Sequence, residues 1–121
     1  MQIGFIGVGA MGGGLARNLI RAGKSVLIYD INAAMVEKTL AAGTTGKAVQ
    51  NAADLAGCDL VFTSLPLPTH LQETMLGDAG LLAKMSPGAV YIDVSTIDPG
   101  TARELEAAAK EKGIGFLECP L

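Results

Sequence analysis

A chain of 121 residues, half of them hydrophobic, holds enough sequence and enough apolar side chain for a single core. Its net charge of −3 excludes the broad basic face that nucleic-acid binding requires, and no apolar run approaches the ~20 residues of a membrane-spanning helix. Met1 leads directly into an apolar strand pattern, without the charged and hydrophobic regions of a secretory signal. The expectation is a cytoplasmic chain, or an organelle-matrix chain after import, with neither nucleic acid nor membrane as partner. Cys58 and Cys119 match no metal-ligand spacing, so they read as buried, reduced thiols and no metal is expected.

Strand and helix patterns alternate along the whole sequence. Gln2 to Ile6 predicts a buried strand, and Met11 to Arg21 a helix with Leu15, Leu19 and Ile20 on one face and Gly23 as its stop. Ser25 to Tyr29 predicts a second strand, Asp30 to Asn32 a turn, and Ala33 to Ala42 a helix ended by Gly43. A short strand is expected at Gly46 to Val49, then a brief helix capped by Asn51 and running through Ala56, then a strand at Asp59 to Ser64. Pro66 and Pro68 break the chain. Helix follows at Thr69 to Leu76, a further short helical turn at Ala79 to Met85, and a strand at Ala89 to Val94. Asp98 before Pro99 is an N-cap with proline at the first helical position, opening a helix to Lys112. Ile114 to Glu118 predicts the last strand. Short strands alternating with helices imply right-handed crossovers and a parallel sheet, and the layout predicts an α/β, doubly wound sheet of strand order 3-2-1-4-5-6 within one domain spanning residues 1–121.

The segment Gly7-Val8-Gly9-Ala10-Met11-Gly12 stands between the first strand and the first helix. In that context a GxGxxG pattern has a physical reading. Gly7 allows the tight turn, Gly9 lets backbone approach a pyrophosphate, and Gly12 lets helix pack close to sheet. The helix N-terminus adds unpaired N–H groups and a partial positive charge, so an acidic chain can still hold a polyanionic cofactor. Asp30 ends the second strand, 18 residues after Gly12. There a carboxylate accepts from the hydroxyls of an adenosine ribose, and a turn former or cap for the next helix is the alternative. Gly13 and Gly14 each cost a helix about 1 kcal/mol relative to alanine, for which close packing is the available explanation. Together the loop, the acid and the alternation predict a Rossmann fold for a dinucleotide cofactor.

The sequence resembles the β-hydroxyacid dehydrogenase family, which includes 3-hydroxyisobutyrate dehydrogenase, tartronate semialdehyde reductase and glyoxylate/succinic semialdehyde reductases, with 6-phosphogluconate dehydrogenase a more distant relative. Gly4 to Gly12 is close to the family's GFIGLGxMG, continued by Ala16, Arg17, Asn18 and Leu19. Ser64-Leu65-Pro66 resembles its LP loop, and Ile92 to Pro99 its IDxST segment. Phe116 and Leu117-Glu118-Cys119-Pro120-Leu121 resemble its LDAPV, with departures at Glu118, Cys119 and Leu121.

The resemblance implies that Leu65, Pro66 and His70 line the adenosine and ribose side of the cofactor, and that Ser95 and Thr96 lie on the loop at its nicotinamide end. Residue by residue, plainer readings stand beside these: the prolines as loop breakers, Ser95 and Thr96 as helix-capping residues, and His70, the one histidine, as a solvated helix residue. The resemblance further implies a substrate-binding SGG segment just after Leu121. A catalytic lysine and an asparagine would follow in a helical domain that also forms the subunit interface. Lys24, Lys38, Lys47, Lys84, Lys110 and Lys112 read as solvated, and no catalytic residue is expected within 1–121.

The chain thus reads as the cofactor half of a dehydrogenase acting on a small hydroxyacid, binding cofactor without turnover. Self-association is expected through apolar residues near Phe116, Leu117 and Leu121. A stand-alone redox-sensing module is the competing class, and a Rossmann domain for FAD or S-adenosylmethionine fits the loops less well. NAD is expected over NADP. Asp30 suits a free 2′-hydroxyl, and the residues after it, Ile31, Asn32, Ala33 and Ala34, carry no positive charge to meet a 2′-phosphate.

Overall fold

The computed structural model describes residues 1–95 and 97–119, with Ala10 described in its backbone alone. Six strands form one parallel sheet: β1 (Gln2–Ile6), β2 (Ser25–Tyr29), β3 (Gly46–Ala48), β4 (Leu60–Thr63), β5 (Val90–Asp93) and β6 (Gly115–Glu118). Their spatial order is β3-β2-β1-β4-β5-β6, the order expected from the alternation. Four helices connect them: α1 (Ala10–Arg21), α2 (Ala33–Leu40), α3 (Pro68–Met75) and α4 (Pro99–Glu111).

Period-two alternation within the strands sends apolar residues to both faces of the sheet, as a sheet covered on two sides requires. Ile3, Phe5, Val26, Ile28 and Phe62 pack on one face with Ala16 and Ile20 of α1 and Val36 of α2. Phe5 and Phe62, opposite each other in the β1–β4 register, stack with ring centroids 4.7 Å apart. Ile6, Val61 and Tyr91 belong to the other face, with Met75 of α3 and Leu105 and Ala109 of α4. The two buried layers hold the carboxyl ends of β1, β2, β4 and β5 side by side, where ligands of such sheets bind.

The elements differ from expectation at their ends. The first helix opens at Ala10, one residue early, and α2 stops at Leu40. Pro68 begins α3 instead of preceding it, because a first helical residue has no intrahelical use for its N–H. The brief helices are single 3₁₀ turns at Ala52–Leu55 and Leu81–Lys84. In the first of these, Asp54 Oδ2 accepts from the N–H of Asn51 at 3.1 Å. Gly23, with φ +81°, closes α1 as expected: its N–H donates to Ile20 O at 2.9 Å and that of Lys24 to Leu19 O at 3.0 Å.

Both cysteines are free thiols, but only Cys58 is buried. Burial, with the charge of Asp59 adding to it, pushes its thiol up to about 11. Cys119 is exposed, contrary to expectation, because it follows an edge strand with no further strand beside it.

Candidate functional site

Each glycine of the loop meets a distinct constraint. Gly7 has φ +91°, and a Cβ there would also run into the carbonyl of Ser64, so no other residue fits. A Cβ on Gly12 would lie 2.5 Å from Gly7 O and 2.7 Å from Ser64 Cβ, and one on Gly13 2.6 Å from Val8 O. Close packing therefore accounts for Gly13 as well, while nothing in the structure explains Gly14. Gly9 is different: nothing lies within 4 Å of where its Cβ would be. The space above it is open, and backbone lines that space.

Gly9 is also the N-cap of α1, so it supplies no side-chain acceptor, and the first turn of the helix holds no acidic residue. The first-turn amides thus keep the anion-binding character of a helix N-terminus. Val8 is fully buried, backbone included. Its N–H donates to Asp30 Oδ2 at 2.8 Å. Asp30 Oδ1 accepts from the N–H of Asn32 at 2.9 Å. Asp30 therefore shapes the turn after β2 and pins the glycine loop to it. The cap of α2 is Asn32, whose side chain accepts from the Met35 N–H at 3.2 Å.

Two adjoining hollows open at the carboxyl ends of the strands. The larger, about 560 Å³, runs from Asp30 past Gly7, Gly9 and Met11 to Ser64, Leu65, Pro66, His70, Val94 and Ser95. The smaller, about 180 Å³, lies beside it among Ile6, Gly7, Tyr29, Asp30, Ile31, Leu65, His70, Glu73 and Thr74. Leu65 and His70 border both, Met11 is 47% exposed on the rim, and Ser95 is buried. A mostly apolar flank suits a flat aromatic base, an open backbone cradle at a helix N-terminus suits a pyrophosphate, and a carboxylate beside them suits a ribose. The residues present fit a dinucleotide.

Beneath the larger hollow lies a buried polar chain. Thr63 Oγ1 donates to Asp93 Oδ1 at 2.8 Å, which leaves Tyr91 as donor in the 2.7 Å Tyr91–Thr63 hydroxyl contact. Asp93 Oδ1 also accepts from the Ser95 N–H at 3.3 Å, and Ser95 Oγ accepts from the Leu65 N–H at 2.8 Å. Burial raises the Asp93 carboxyl and the charge of Glu118 adds to this, while hydrogen bonds from Thr63 and Ser95 oppose it. The Tyr91 hydroxyl is raised, chiefly by burial.

A family model described as the NAD binding domain of 6-phosphogluconate dehydrogenase matches residues 2–121. The chain belongs to that family. An NAD-dependent L-serine dehydrogenase of Pseudomonas aeruginosa is 40% identical over 121 residues, covering 99% of this chain and 40% of that one. The structure of Mycobacterium tuberculosis 3-hydroxyisobutyrate dehydrogenase with L-serine matches at TM-score 0.86 and 31% identity, over 98% of this chain and 40% of that one. The structure of Psf3 in complex with NADP+ and 2-OPP matches at TM-score 0.88 and 28% identity, over 98% of this chain and 42% of that one. The chain spans 22% to 40% of the length of curated relatives such as these.

In this NAD-binding domain the crevice brings together Gly7, Gly9, Met11, Asp30, Leu65, Pro66, His70 and Ser95, eight of the residues singled out from sequence. Val8 is buried behind them and meets the site only through its N–H on Asp30. Gly12 lies beneath them as a packing residue. Ala10 begins the helix, and Thr96 lies outside the described residues, as do Pro120 and Leu121. Tyr29, Ile31, Glu73 and Thr74 line the smaller hollow without having been singled out. Two of them carried a signal: Ile31 is an apolar residue in a turn, 92% exposed, and Glu73 stands one helical turn from His70. All six lysines are exposed. No group of His, Cys, Asp and Glu among the described residues is arranged to hold a metal ion, and no helix there is long and apolar enough to cross a membrane.

Proposed function

We propose that this NAD-binding domain is the cofactor half of an oxidoreductase that transfers a hydride between a nicotinamide dinucleotide and a small β-hydroxyacid or semialdehyde. One observation carries the reading: a single crevice runs from Asp30 across the open backbone at Gly9 to Ser95, in a chain similar to L-serine and 3-hydroxyisobutyrate dehydrogenases. The loop Gly7-Val8-Gly9-Ala10-Met11-Gly12 holds the pyrophosphate through backbone amides, and Asp30 accepts from the adenosine ribose. Leu65, Pro66 and His70 flank the adenosine side, and Ser95 and Thr96 meet the nicotinamide end. When bound, the dinucleotide supplies the hydride chemistry, and residues 1–121 bind and orient it as one domain. On this reading the general acid/base comes from a helical substrate domain following residue 121, since every lysine in this chain is exposed and none lines either hollow. The same reading has the chain self-associate through the edge strand β6, where Leu117 is 58% exposed.

The cofactor is NAD in preference to NADP. A 2′-phosphate would stand beside the Asp30 carboxylate, and each unit of charge at ~4 Å is repelled by about 4 kcal/mol at an effective dielectric near 20. Ile31, Asn32, Ala33 and Ala34 offer no cation, and the exposed Lys38 lies on α2 beyond them. Calorimetric titration with both dinucleotides tests the reading. NAD is expected to bind at least about tenfold more tightly, a modest share of that repulsion after screening. Equal or tighter binding of NADP overturns the role of Asp30, and absence of binding by either overturns the function. Asp30→Ala narrows the gap between the two.

A further inference from the structure

Asp93 is fully buried at the end of β5, and its Oδ2 has no hydrogen-bond partner among the described residues. An unpartnered carboxylate oxygen in a core is costly, and an apolar residue of similar size would avoid the cost. Its other oxygen makes bonds that a purely apolar core would not contain. Oδ1 receives the Thr63 hydroxyl from β4 and the N–H of Ser95 from the loop after β5, and Ser95 in turn receives the N–H of Leu65 from the loop after β4. The two loops are thereby tied to each other and to one buried oxygen.

These loops have a defined place along the crevice. Asp30 follows β2, the glycine loop follows β1, and the strand order puts β4 and β5 on the far side of that loop from Asp30. A dinucleotide with its adenosine ribose at Asp30 and its pyrophosphate over Gly9 carries its second nucleoside over the ends of β4 and β5. This step rests on the function proposed above. We propose that Asp93 is a positioning residue for the nicotinamide half of the cofactor, acting through Ser95 and Thr63 to fix the loops at residues 64–66 and 94–95. Asp93 touches no cofactor itself. It sets the floor on which that half lies, and it leaves the adenosine half, held by Asp30 and the glycine loop, unaffected.

The test compares NAD with ADP, which carries the adenosine and both phosphates but no second nucleoside. Affinities for each are measured by calorimetry on the wild type, Asp93→Ala, Asp93→Asn and Thr63→Val, with circular dichroism to check the fold. Asp93→Ala is expected to weaken NAD by about fivefold, the equivalent of one hydrogen bond, with ADP within about twofold of wild type. Asp93→Asn keeps an oxygen acceptor and should restore NAD binding to within about twofold. Unchanged NAD binding in Asp93→Ala, or parallel loss of NAD and ADP, overturns the inference. If Asp93→Ala does not fold, Thr63→Val is read by the same criterion, since it removes one tie and keeps the shape. A wild type that binds ADP and NAD equally and loses neither in any variant overturns the positioning role alone. A wild type that binds neither overturns the proposed function and this inference with it.

Discussion

The three glycines of the loop are written with one letter and answer to separate demands. A Cβ on Gly12 would stand 2.5 Å from the carbonyl oxygen of Gly7 and 2.7 Å from Ser64 Cβ, at the root of that side chain, so neither atom can swing aside. Gly9 faces open space. The two therefore respond differently to one added methyl. Gly12→Ala is expected to destabilise the fold by about 1–3 kcal/mol, as overpacking does. Gly9→Ala should melt at the wild-type temperature and yet lose cofactor affinity, because its methyl enters the space assigned to the pyrophosphate. Thermal melting beside NAD titration separates them, and a Gly9→Ala protein that binds NAD as the wild type does would remove Gly9 from the site. The turn at Gly7 and the close packing at Gly12 were legible in the sequence because the motif sits between a strand and a helix at fixed spacing. Asp93 and Thr63 were not. Their chemistry depends on Thr63 lying opposite Asp93 in the β4–β5 register, a pairing across 30 residues that no local pattern reveals. Tyr29 and Thr74 were missed for the same reason, since their hollow is built between the end of β2 and α3.

At the scale of elements, α4 shows how local chemistry fixes a boundary. Asp98 caps it, its carboxylate accepting from the Thr101 N–H at 3.0 Å and the Thr101 hydroxyl at 2.7 Å, and Pro99 takes the first helical position. Both features were legible in the sequence, because cap and proline signals lie within four residues of each other. The start of α3 was read one residue late, since a proline in the sequence ends an element or begins one depending on hydrogen bonds it does not itself make. The Asp98 cap also carries a pH dependence. The hydrogen bonds from Thr101, side chain first and then backbone, hold the Asp98 carboxyl below its ordinary value. A lowered carboxyl binds fewer protons in the folded state, so its stabilisation is present above the unfolded value and is lost as pH falls through the folded one. Asp98→Ala should therefore lower the urea midpoint at neutral pH, with the difference from wild type shrinking toward strongly acidic pH. Asp98→Asn, which still caps, should retain most of the neutral-pH midpoint and lose the pH-dependent part. A wild-type-to-alanine difference that stays constant across the acidic range would show that the ionised cap is not the source.

For the molecule as a whole, the parallel sheet and its strand order were legible because apolar strands alternate with helices, and right-handed crossovers leave few arrangements open. What alternation does not reveal is which surfaces the finished sheet leaves uncovered. The two edge strands are unequal. β3 has three residues, short enough to offer little to a partner. β6 has four, pairs with β5 alone, and exposes most of its length. On one face of β6, Phe116 packs against Tyr91, with ring centroids 5.4 Å apart. Leu117 points to the other face and is 58% exposed, although its register partner Ile92 is half-buried against the α1–α2 side of the core. An edge with unpaired amides and an exposed leucine is the surface on which a second copy gains most by pairing or packing. Sedimentation velocity across a concentration series, under reductant so that the exposed Cys119 forms no cross-link, is expected to show a monomer–dimer equilibrium. Leu117→Lys should shift it to monomer, because a charge on an edge strand opposes pairing, while leaving NAD affinity unchanged, since Leu117 does not line the crevice. A wild type that stays monomeric at the highest concentration, or a Leu117→Lys protein that associates as the wild type does, would rule out β6 as the contact.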